Sequence, residues 1–292
     1  MKRSSRAAWW LLSPMLAMVA VFAVYPVGRM LVLSLFAQNL ETNLLPVFSG
    51  FDNFLRVAGD GHFWQTVSRT LLFAGLAVGS ELALGLASAL AIHHSAVGRG
   101  LARTVALVPW VLPTSALALA WIWIFNDQFG VFNDLLQRLG VLREPFPWLG
   151  RPRAAFFALV MADVWKTTPF MMLLLLAGLQ TIPAQLYEAA AIDGGSRWQR
   201  FRSITLPLLR PTIFVAVVFR ALQSFGIFDL VYVMTGGGPG GATETVALYT
   251  YRNFMRYLDF GYGAALLVTG SVLLMVLTGA IWLALGREGR PA

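Results

Sequence analysis

Six long apolar stretches, separated by short polar connections, place the strongest constraint on what this chain can fold into. An α-helix needs roughly 20 mainly apolar residues to cross a bilayer. Hydrophobic residues make up 58% of the 292 residues and charged residues only 12%, against about 25% charged in soluble domains. The stretches cover about residues 10–35, 70–92, 102–125, 154–179, 211–234 and 262–285. The chain is therefore predicted to be an all-α integral membrane protein, a single transmembrane domain of six helices.

The positive charges predict how the chain is oriented. Six crossings place both termini on one side, and with the termini inside eleven basic residues lie on inner segments and eight on outer ones. The inner residues are Lys2, Arg3, Arg6, Arg99, Arg103, Arg197, Arg200, Arg202, Arg210, Arg287 and Arg290, and the outer ones are Arg56, Arg69, Arg138, Arg143, Arg151, Arg153, Arg252 and Arg256. This excess favours cytoplasmic termini. The basic start resembles a signal peptide, but the apolar stretch continues through Tyr25 and Pro26, which predicts an uncleaved anchor.

The chain lacks the patterns of most catalytic and metal sites. It contains no cysteine, which excludes disulfides and thiolate metal sites. Its three histidines, His62, His93 and His94, have no acidic or thiol partner at ligand spacing, so no metal site is predicted. Neither of its lysines, Lys2 and Lys166, follows a glycine as in a phosphate-binding loop, so any ATP hydrolysis must come from another polypeptide. Its net charge of +8 comes from scattered arginines, which fits anionic lipid rather than nucleic acid. The chain itself is predicted to be no enzyme and to carry no cofactor.

Residues 181–210 form a polar island between the fourth and fifth apolar stretches. Pro183 suits the first turn of a helix, three alanines at 189–191 favour its interior, and Gly194-Gly195 can end it. Ser196 and Gln199 have the spacing of a capping box, which predicts a second short helix that runs towards a break at Pro207. The residues alone are equally compatible with an ordinary interfacial helix.

The run EAAAIDGGSRWQRFRSITLPLLRP resembles the EAA loop of permease subunits of bacterial ATP-binding-cassette (ABC) importers. The resemblance implies a cytoplasmic coupling element that docks into a cleft of an ATPase subunit, and a six-helix permease fold of the MetI and MalF type. It also implies two such ATPase subunits in the complex, which would hold the ATP and Mg²⁺. Gly195 departs from it, because many sugar permeases carry alanine there, and we expect a slightly looser elbow. The implied coupling residues are Tyr187, Glu188, Ala189, Ala190, Asp193, Gly194, Gly195 and Pro207.

The third predicted outer loop carries the dense cluster Thr235-Gly-Gly-Gly-Pro-Gly-Gly241, which cannot be a helix interior. A flexible turn is one interpretation. The cluster also resembles the Thr-x-Gly-Gly-Pro loop of MalF-type sugar permeases, at the outer mouth of the translocation path, and that likeness continues through Tyr249 and Phe254 to Tyr262. It implies an outer gating loop, a second, MalG-like permease subunit and an extracytoplasmic sugar-binding protein. The implied gating residues are Gly236, Gly237, Gly238 and Pro239.

Ionisable and polar side chains inside the apolar stretches mark a candidate solute site, because such groups should face a cavity or a partner helix. Asp163 and Lys166 share one helical face, and so do Arg220, Gln223 and Ser224. Polar groups beside aromatic rings suit a sugar. The alternative is structural, with Asp163 neutralised by Lys166, and Arg220 by Asp229 or Glu81.

The stretch Val164-Trp-Lys-Thr-Thr-Pro-Phe-Met171 resembles the fourth span of disaccharide permeases, with trehalose-type systems most similar. Taken with the shared helix faces, this resemblance extends the candidate substrate-binding set to Asp163, Lys166, Thr167, Phe170, Arg220, Gln223, Ser224 and Ile227. This chain carries more charge there than the maltose permease does, so its ligand can differ.

These patterns predict a MalF-like permease of the bacterial inner membrane that moves a sugar, such as trehalose or maltose, by alternating access. One alternative is an ABC permease for glycerol phosphate or another polar solute, including amino acids and peptides. A second is an ion-coupled secondary transporter using Glu81, Asp163 and Asp229, although no inverted repeat is visible. A membrane enzyme is disfavoured because no nucleophile elbow, metal triad or paired-carboxylate motif is present.

Overall fold

A computed structural model describes residues 2–94 and 99–285 of the chain. Most of these residues are helical. The helices are α1 (Lys2–Val19), α2 (Tyr25–Leu33), α3 (Asp52–Gly59), α4 (Gly61–His94), α5 (Arg99–Val111), α6 (Thr114–Ile124), α7 (Val131–Arg138), α8 (Pro152–Gln180), α9 (Ala184–Ile192), α10 (Arg197–Arg200), α11 (Leu206–Phe225), α12 (Asp229–Met234), α13 (Val246–Tyr251) and α14 (Phe260–Leu285), and the strands are β1 (Phe36–Asn39) and β2 (Asn43–Phe48). Short π turns at Ala20–Val24, Phe201–Thr205 and Arg252–Arg256 link consecutive helices. The predicted inner-side residues Arg287 and Arg290 lie outside the described residues, as do the side chains of Lys2, Arg3, Arg6 and Arg99.

The described part of the chain supplies the spans that a multi-pass membrane protein needs. Five helical segments are long and apolar enough to cross a bilayer, and a bent pair of helices makes a sixth if it is counted as one broken span. The five are Trp10–Leu33, Gly61–His93, Pro152–Gln180, Arg197–Phe225 and Phe260–Ala284. The all-α membrane architecture is therefore as predicted.

The third apolar stretch is not the single helix predicted over 102–125. Gly100–Val111 and Thr114–Ile124 meet at a bend of 89°. Pro113 stands at the bend with φ −57° and ψ 132°. Proline has no N–H to donate, and its ring disfavours the helical conformation at Leu112, so the helix must stop and restart.

The fifth stretch also differs from its prediction of one helix over 211–234 that follows a break at Pro207. The helical segment runs without interruption from Arg197 to Phe225. A π turn that ends two residues before Pro207 shifts the hydrogen-bond register, and this accommodates a residue with no N–H. The break instead follows Phe225, where Gly226 caps α11, so that Asp229 begins the separate helix α12.

The chain divides into two compact units, of which the first joins the residues up to Trp64 with Tyr249–Leu273. Its strands β1 and β2 form an antiparallel hairpin. The buried Asn53 side chain donates hydrogen bonds to the carbonyl oxygens of Ser34 at 3.0 Å and Phe36 at 2.9 Å. These bonds satisfy backbone groups that would otherwise be buried without partners, so they hold the hairpin against α3.

Asp60 is the centre of a second polar cluster in this unit. Its carboxylate accepts hydrogen bonds from the hydroxyls of Tyr249 at 2.7 Å and Tyr262 at 2.5 Å, and from the backbone N–H groups of His62 and Phe63. Burial raises the pKa of Asp60, but the hydrogen bonds from the tyrosines and the backbone outweigh it and hold the pKa below the ordinary 3.8. Burial and the bond to Asp60 raise the pKa of Tyr249 to about 12. Asp60 is therefore ionised near neutral pH and joins the start of α4 to α13 and α14.

The second unit, Gln65–Leu248 with the residues from Leu274 onwards, contains two apolar cores around α8. One core packs α8 against α4, α6 and α12, with Phe73, Trp121 and Leu159 among its members. The other packs α8 against α4 and α11 through Met171 and Leu209. Because α8 belongs to both cores, its polar side chains are held in fixed positions beside those of α4 and α11.

Candidate functional site

A buried arginine is the centre of the polar cluster in the second unit. Arg220 on α11 is 3% exposed and Glu81 on α4 is fully buried. The arginine Nε lies 2.6 Å from Glu81 Oε2, its Nη2 lies 2.7 Å from Glu81 Oε1, and the same Nη2 lies 3.1 Å from Asp163 Oδ2 on α8. One guanidinium therefore bridges two carboxylates and three helices, in the two-pronged geometry that suits arginine.

Neighbouring polar groups complete the hydrogen bonding of this cluster. The hydroxyl of Thr167 donates to Glu81 Oε1 at 2.6 Å. Arg220 Nη1 donates to the Gln223 side-chain oxygen at 2.7 Å, and Nη2 is 3.2 Å from the Ser224 hydroxyl. These hydrogen bonds are needed, because burying a charged side chain costs free energy unless the charge is paired and hydrogen-bonded.

This arrangement decides between the ion pairs that the sequence left open. Arg220 pairs with Glu81 and additionally with Asp163, not with Asp229. Asp163 consequently faces Arg220, and Lys166 makes no ion pair within 4 Å among the residues that the structure describes. Arg220 therefore makes the structural ion pair with Glu81 that the sequence offered as one alternative, and both Arg220 and Lys166 line the adjoining cavity.

The cavity beside this cluster has a volume of about 320 Å³. Six of the eight candidate substrate residues line it, namely Asp163, Lys166, Thr167, Arg220, Gln223 and Ile227. Ser224 is buried behind Arg220, and Phe170 stands outside the lining. As ligands of a solute these residues remain predictions, but the fold brings most of them to one space.

Trp110 adds to the cavity an aromatic ring that the sequence did not single out. Trp110 lines it, and its ring is stacked on Phe170 with centroids 5.6 Å apart. Phe170 in turn lies 5.2 Å from Phe219. The available signal was a tryptophan between Pro109 and Pro113 in an apolar stretch. Thr114, Phe228 and Asp229 also line the cavity, because the two helix breaks expose them there.

The glycine cluster at residues 235–241 forms a turn that side-chain hydrogen bonds hold to the chain around it. Gly236 and Gly237 have φ of +58° and +85°, in a region that other residues rarely adopt. The Thr243 hydroxyl donates to the Gly238 carbonyl at 2.8 Å, and the Thr245 hydroxyl donates to the carbonyl of Ile227 at 3.1 Å. The loop is thus tied to the cavity lining, while a gating role for Gly236, Gly237, Gly238 and Pro239 stays a prediction.

The predicted helix, elbow and second helix are present between α8 and α11. Pro183 caps α9, which ends at Ile192. Gly194 has a φ of +77°, its N–H bonds the Ala191 carbonyl at 3.1 Å, and the Gly195 N–H bonds the Ala190 carbonyl at 2.8 Å. This is a Schellman cap. The predicted capping box of Ser196 and Gln199 then starts α10.

Helix α9 offers its surface rather than burying it. No residue of α9 is buried, Glu188 and Asp193 are exposed, and Ile192 is 88% exposed. The Tyr187 hydroxyl lies 2.9 Å from the hydroxyl of the buried Thr205, which anchors the elbow to the start of the fifth span. The exposed face of α9 is therefore joined directly to the fifth span.

Comparison with known proteins identifies the family. Residues 82–285 match the family described as the binding-protein-dependent transport system inner membrane component. The chain belongs to this family.

Three named relatives show which kinds of permease protein the chain resembles. Over 290 residues it is 43% identical to the trehalose/maltose transport system permease protein MalF of Thermococcus litoralis, with 99% of this chain and 96% of the relative covered. It is 42% identical to the sulfoquinovosyl glycerol transport system permease protein SmoG of Agrobacterium fabrum (92% and 86% covered). It is 37% identical to the trehalose transport system permease protein SugA of Mycobacterium tuberculosis (90% and 83% covered).

A solved structure agrees on the fold. The chain superposes on that of a bacterial ABC transporter involved in the import of the polysaccharide alginate with a TM-score of 0.82, at 22% identity, covering 98% of this chain and 99% of the other. The transport component is therefore a MalF-like, multi-pass inner-membrane permease subunit of an ABC importer for sugars, and it is not an enzyme.

Proposed function

We propose that this permease subunit carries an uncharged disaccharide of the trehalose or maltose class into the cytoplasm by alternating access. The observation that carries the proposal is the cavity between α8 and α11, where hydroxyl, amide and charged groups stand beside the ring of Trp110. Hydrogen-bonding groups next to an aromatic face suit a pyranose ring. Two relatives whose names include trehalose support this class.

ATP hydrolysis is proposed to drive transport through the polar connection at residues 181–210. Two cytoplasmic ATPase subunits would hold ATP and Mg²⁺, and one of them would grip the exposed α9, with Glu188 and Asp193 as charged contacts. A second, MalG-like permease would complete the pathway, and an extracytoplasmic binding protein would deliver the sugar near Gly236–Pro239. Both termini would then lie in the cytoplasm. A crystal structure of the alginate transporter with its periplasmic protein is a supporting precedent.

A second candidate is a sugar derivative with a negative charge. Lys166 lines the cavity without an ion pair among the described residues, and the relative named for sulfoquinovosyl glycerol is nearly as similar as the trehalose/maltose one. An ammonium group beside a sugar site would favour a sulfonate or phosphate.

Uptake into proteoliposomes containing the permease pair, the ATPases and the binding protein tests both candidates. Trehalose or maltose should enter with ATP and stop when ATP is depleted, while a proton uncoupler leaves the rate unchanged. Preferential uptake of an anionic sugar, lost in Lys166→Gln, would favour the second candidate. Uptake that needs an ion gradient instead of ATP would refute both.

A variant of the cavity tests the site itself. Gln223→Ala should raise the sugar concentration for half-maximal uptake about fivefold, because one hydrogen bond to the solute is worth about 1 kcal/mol. Complex assembly should be unchanged. Wild-type uptake would leave Gln223 as only a partner of Arg220.

A further inference from the structure

A second, larger cavity lies at the base of the elbow and has a basic lining. Its volume is about 830 Å³. Two arginines, Arg197 and Arg200, line it together with the hydroxyl-bearing Tyr187 and Thr205. The described residues that line it are Leu90, His93, Leu179, Tyr187, Arg197, Arg200, Phe201 and Thr205, and none of them is acidic.

The positive charge of this cavity is not compensated from within. The Nε atom of Arg200 is buried and has no hydrogen-bond partner in the part of the chain that the structure describes. An enclosed donor without a partner costs free energy. Two guanidinium groups that converge on one cavity form a site for an anion, and their planar forks match phosphate oxygens.

The apolar part of the lining indicates that the anion is attached to an apolar group. Leu90 lies within the last turn of the α4 span, and Leu179 is the second-last residue of the α8 span. The cavity is therefore at the depth where spans end and headgroups begin. Phe201 adds an aromatic surface there. A free phosphate would contact only the arginines, whereas an anionic lipid would contact the arginines with its headgroup and the apolar side chains with its acyl chains.

We propose that this cavity binds the phosphate headgroup of an anionic phospholipid, of the phosphatidylglycerol class, with Arg197 and Arg200 holding the phosphate. Tyr187 belongs to α9 and Thr205 to the turn before α11, so the lipid would brace both sides of the elbow. Two parts of this inference rest on the proposed function. One is that the lipid belongs to the cytoplasmic leaflet, and the other is that it stiffens the coupling element.

Thermal unfolding of the purified full-length chain tests the proposal, in a polyoxyethylene detergent that carries neither phosphate nor sugar. The probes are dioctanoyl phosphatidylglycerol, dioctanoyl phosphatidylcholine and inorganic phosphate. At about ten times its Kd, phosphatidylglycerol should raise the Tm by about 3–6 °C. Phosphatidylcholine and inorganic phosphate should change it little. An equal rise with inorganic phosphate would overturn the lipid assignment, and an equal rise with phosphatidylcholine would overturn the requirement for net charge.

Matched variants locate the effect. Arg197→Gln with Arg200→Gln should abolish the rise, whereas Arg202→Gln, an equal charge change on an exposed neighbour outside the lining, should keep it. A rise retained in the double variant would overturn the proposal. If that variant unfolds without lipid, Arg197→Lys with Arg200→Lys keeps the charge and should reduce the rise, and an unchanged rise would count against the guanidinium contacts.

Adding the partner ATPase distinguishes a lipid-binding cavity from a protein interface. If adding it abolishes the lipid-dependent rise, the cavity belongs to the protein interface and the lipid proposal is overturned. The unfolding measurement uses no transport, so a failure of ATP-driven uptake together with an intact, arginine-dependent rise would refute the proposed function and leave this inference standing.

Discussion

Arg220 shows most clearly how a single residue organises this protein. It is the only cation in direct contact with Glu81 and Asp163 among the described residues, and all three side chains are buried. The cost of removing a member of such a cluster depends on which charge is left without a partner. Arg220 therefore has an importance for stability that is separate from any contact with a solute.

Arg220→Gln should lower the free energy of unfolding more than Glu81→Gln does. Arg220→Gln leaves two buried carboxylates unpaired and should lower the free energy of unfolding by about 3–5 kcal/mol. Glu81→Gln leaves Arg220 paired with Asp163, and we expect a loss of about 1–3 kcal/mol. Denaturant or thermal unfolding of both variants in the same detergent measures the order. Equal losses, or a larger loss for Glu81→Gln, would mean that Asp163 is not an effective partner.

Asp60 makes stability depend on pH in the first unit. Its folded pKa is lowered, so its contribution is fully present above the ordinary value of 3.8 and is lost as the pH falls through the lower folded pKa. The difference in Tm between the wild type and Asp60→Asn should hence be constant near neutral pH and shrink below about pH 4. Tyr249→Phe, which removes one of the hydrogen bonds, should show a smaller version of the same dependence. A difference that grows on acidification would contradict the assignment.

At the scale of elements, the elbow between α9 and α10 depends on one backbone conformation. Gly194 has a φ of +77°, and nothing lies within 4 Å of where a Cβ would stand. An added side chain would consequently cost conformational energy, about 1 kcal/mol for alanine, without a clash. The elbow is a place where backbone geometry can be altered without changing the exposed surface.

Gly194→Ala should weaken the cap and reduce ATPase co-purification and sugar uptake, while Gly194→Asn should stay nearer to wild type because asparagine tolerates a positive φ. Glu188→Ala tests the docking surface without touching the cap and should weaken ATPase association at unchanged expression. If co-purification is the same in all three variants, α9 is not the ATPase contact.

The whole molecule presents long apolar helices whose outward faces are not covered by the chain itself. Trp10 is 80% exposed and Met275 is 72% exposed, and both lie on candidate spans. Exposed apolar surface on this scale requires lipid or another subunit. Its presence fits a multi-pass subunit of a larger transporter, and which side faces the cytoplasm can be tested directly.

The absence of cysteine from the sequence makes that test simple. Gln185→Cys on α9 should react with a membrane-impermeant maleimide in inside-out vesicles but not in right-side-out ones. Glu144→Cys, in the loop before α8, should show the opposite pattern. Both positions are exposed, so reactivity reports the side of the membrane. The reverse pattern would overturn the proposed orientation and the cytoplasmic placement of the elbow together.

Local physics explains which features could be predicted. The spans follow from apolar length, and the cap at Gly194 and the capping box at Ser196 follow from residues within a few positions of one another. The hydropathy pattern does not predict the breaks at Pro113 and Gly226, because it registers the length of an apolar stretch and not the direction of its helix axis.

The sequence by itself determined that this is a helical membrane protein with an elbowed polar connection, since bilayer thickness and short-range capping act along the chain. The permease assignment came from the resemblance of its motifs to a known family. Only the tertiary structure decided that Arg220 pairs with both Glu81 and Asp163, which are 139 and 57 residues away, and that Trp110 borders the same cavity. Helical spacing relates residues on one helix, but it carries no information on which faces of α4, α8 and α11 meet. Those contacts are set by packing across helices, where burial makes one arrangement of charges far more favourable than the others.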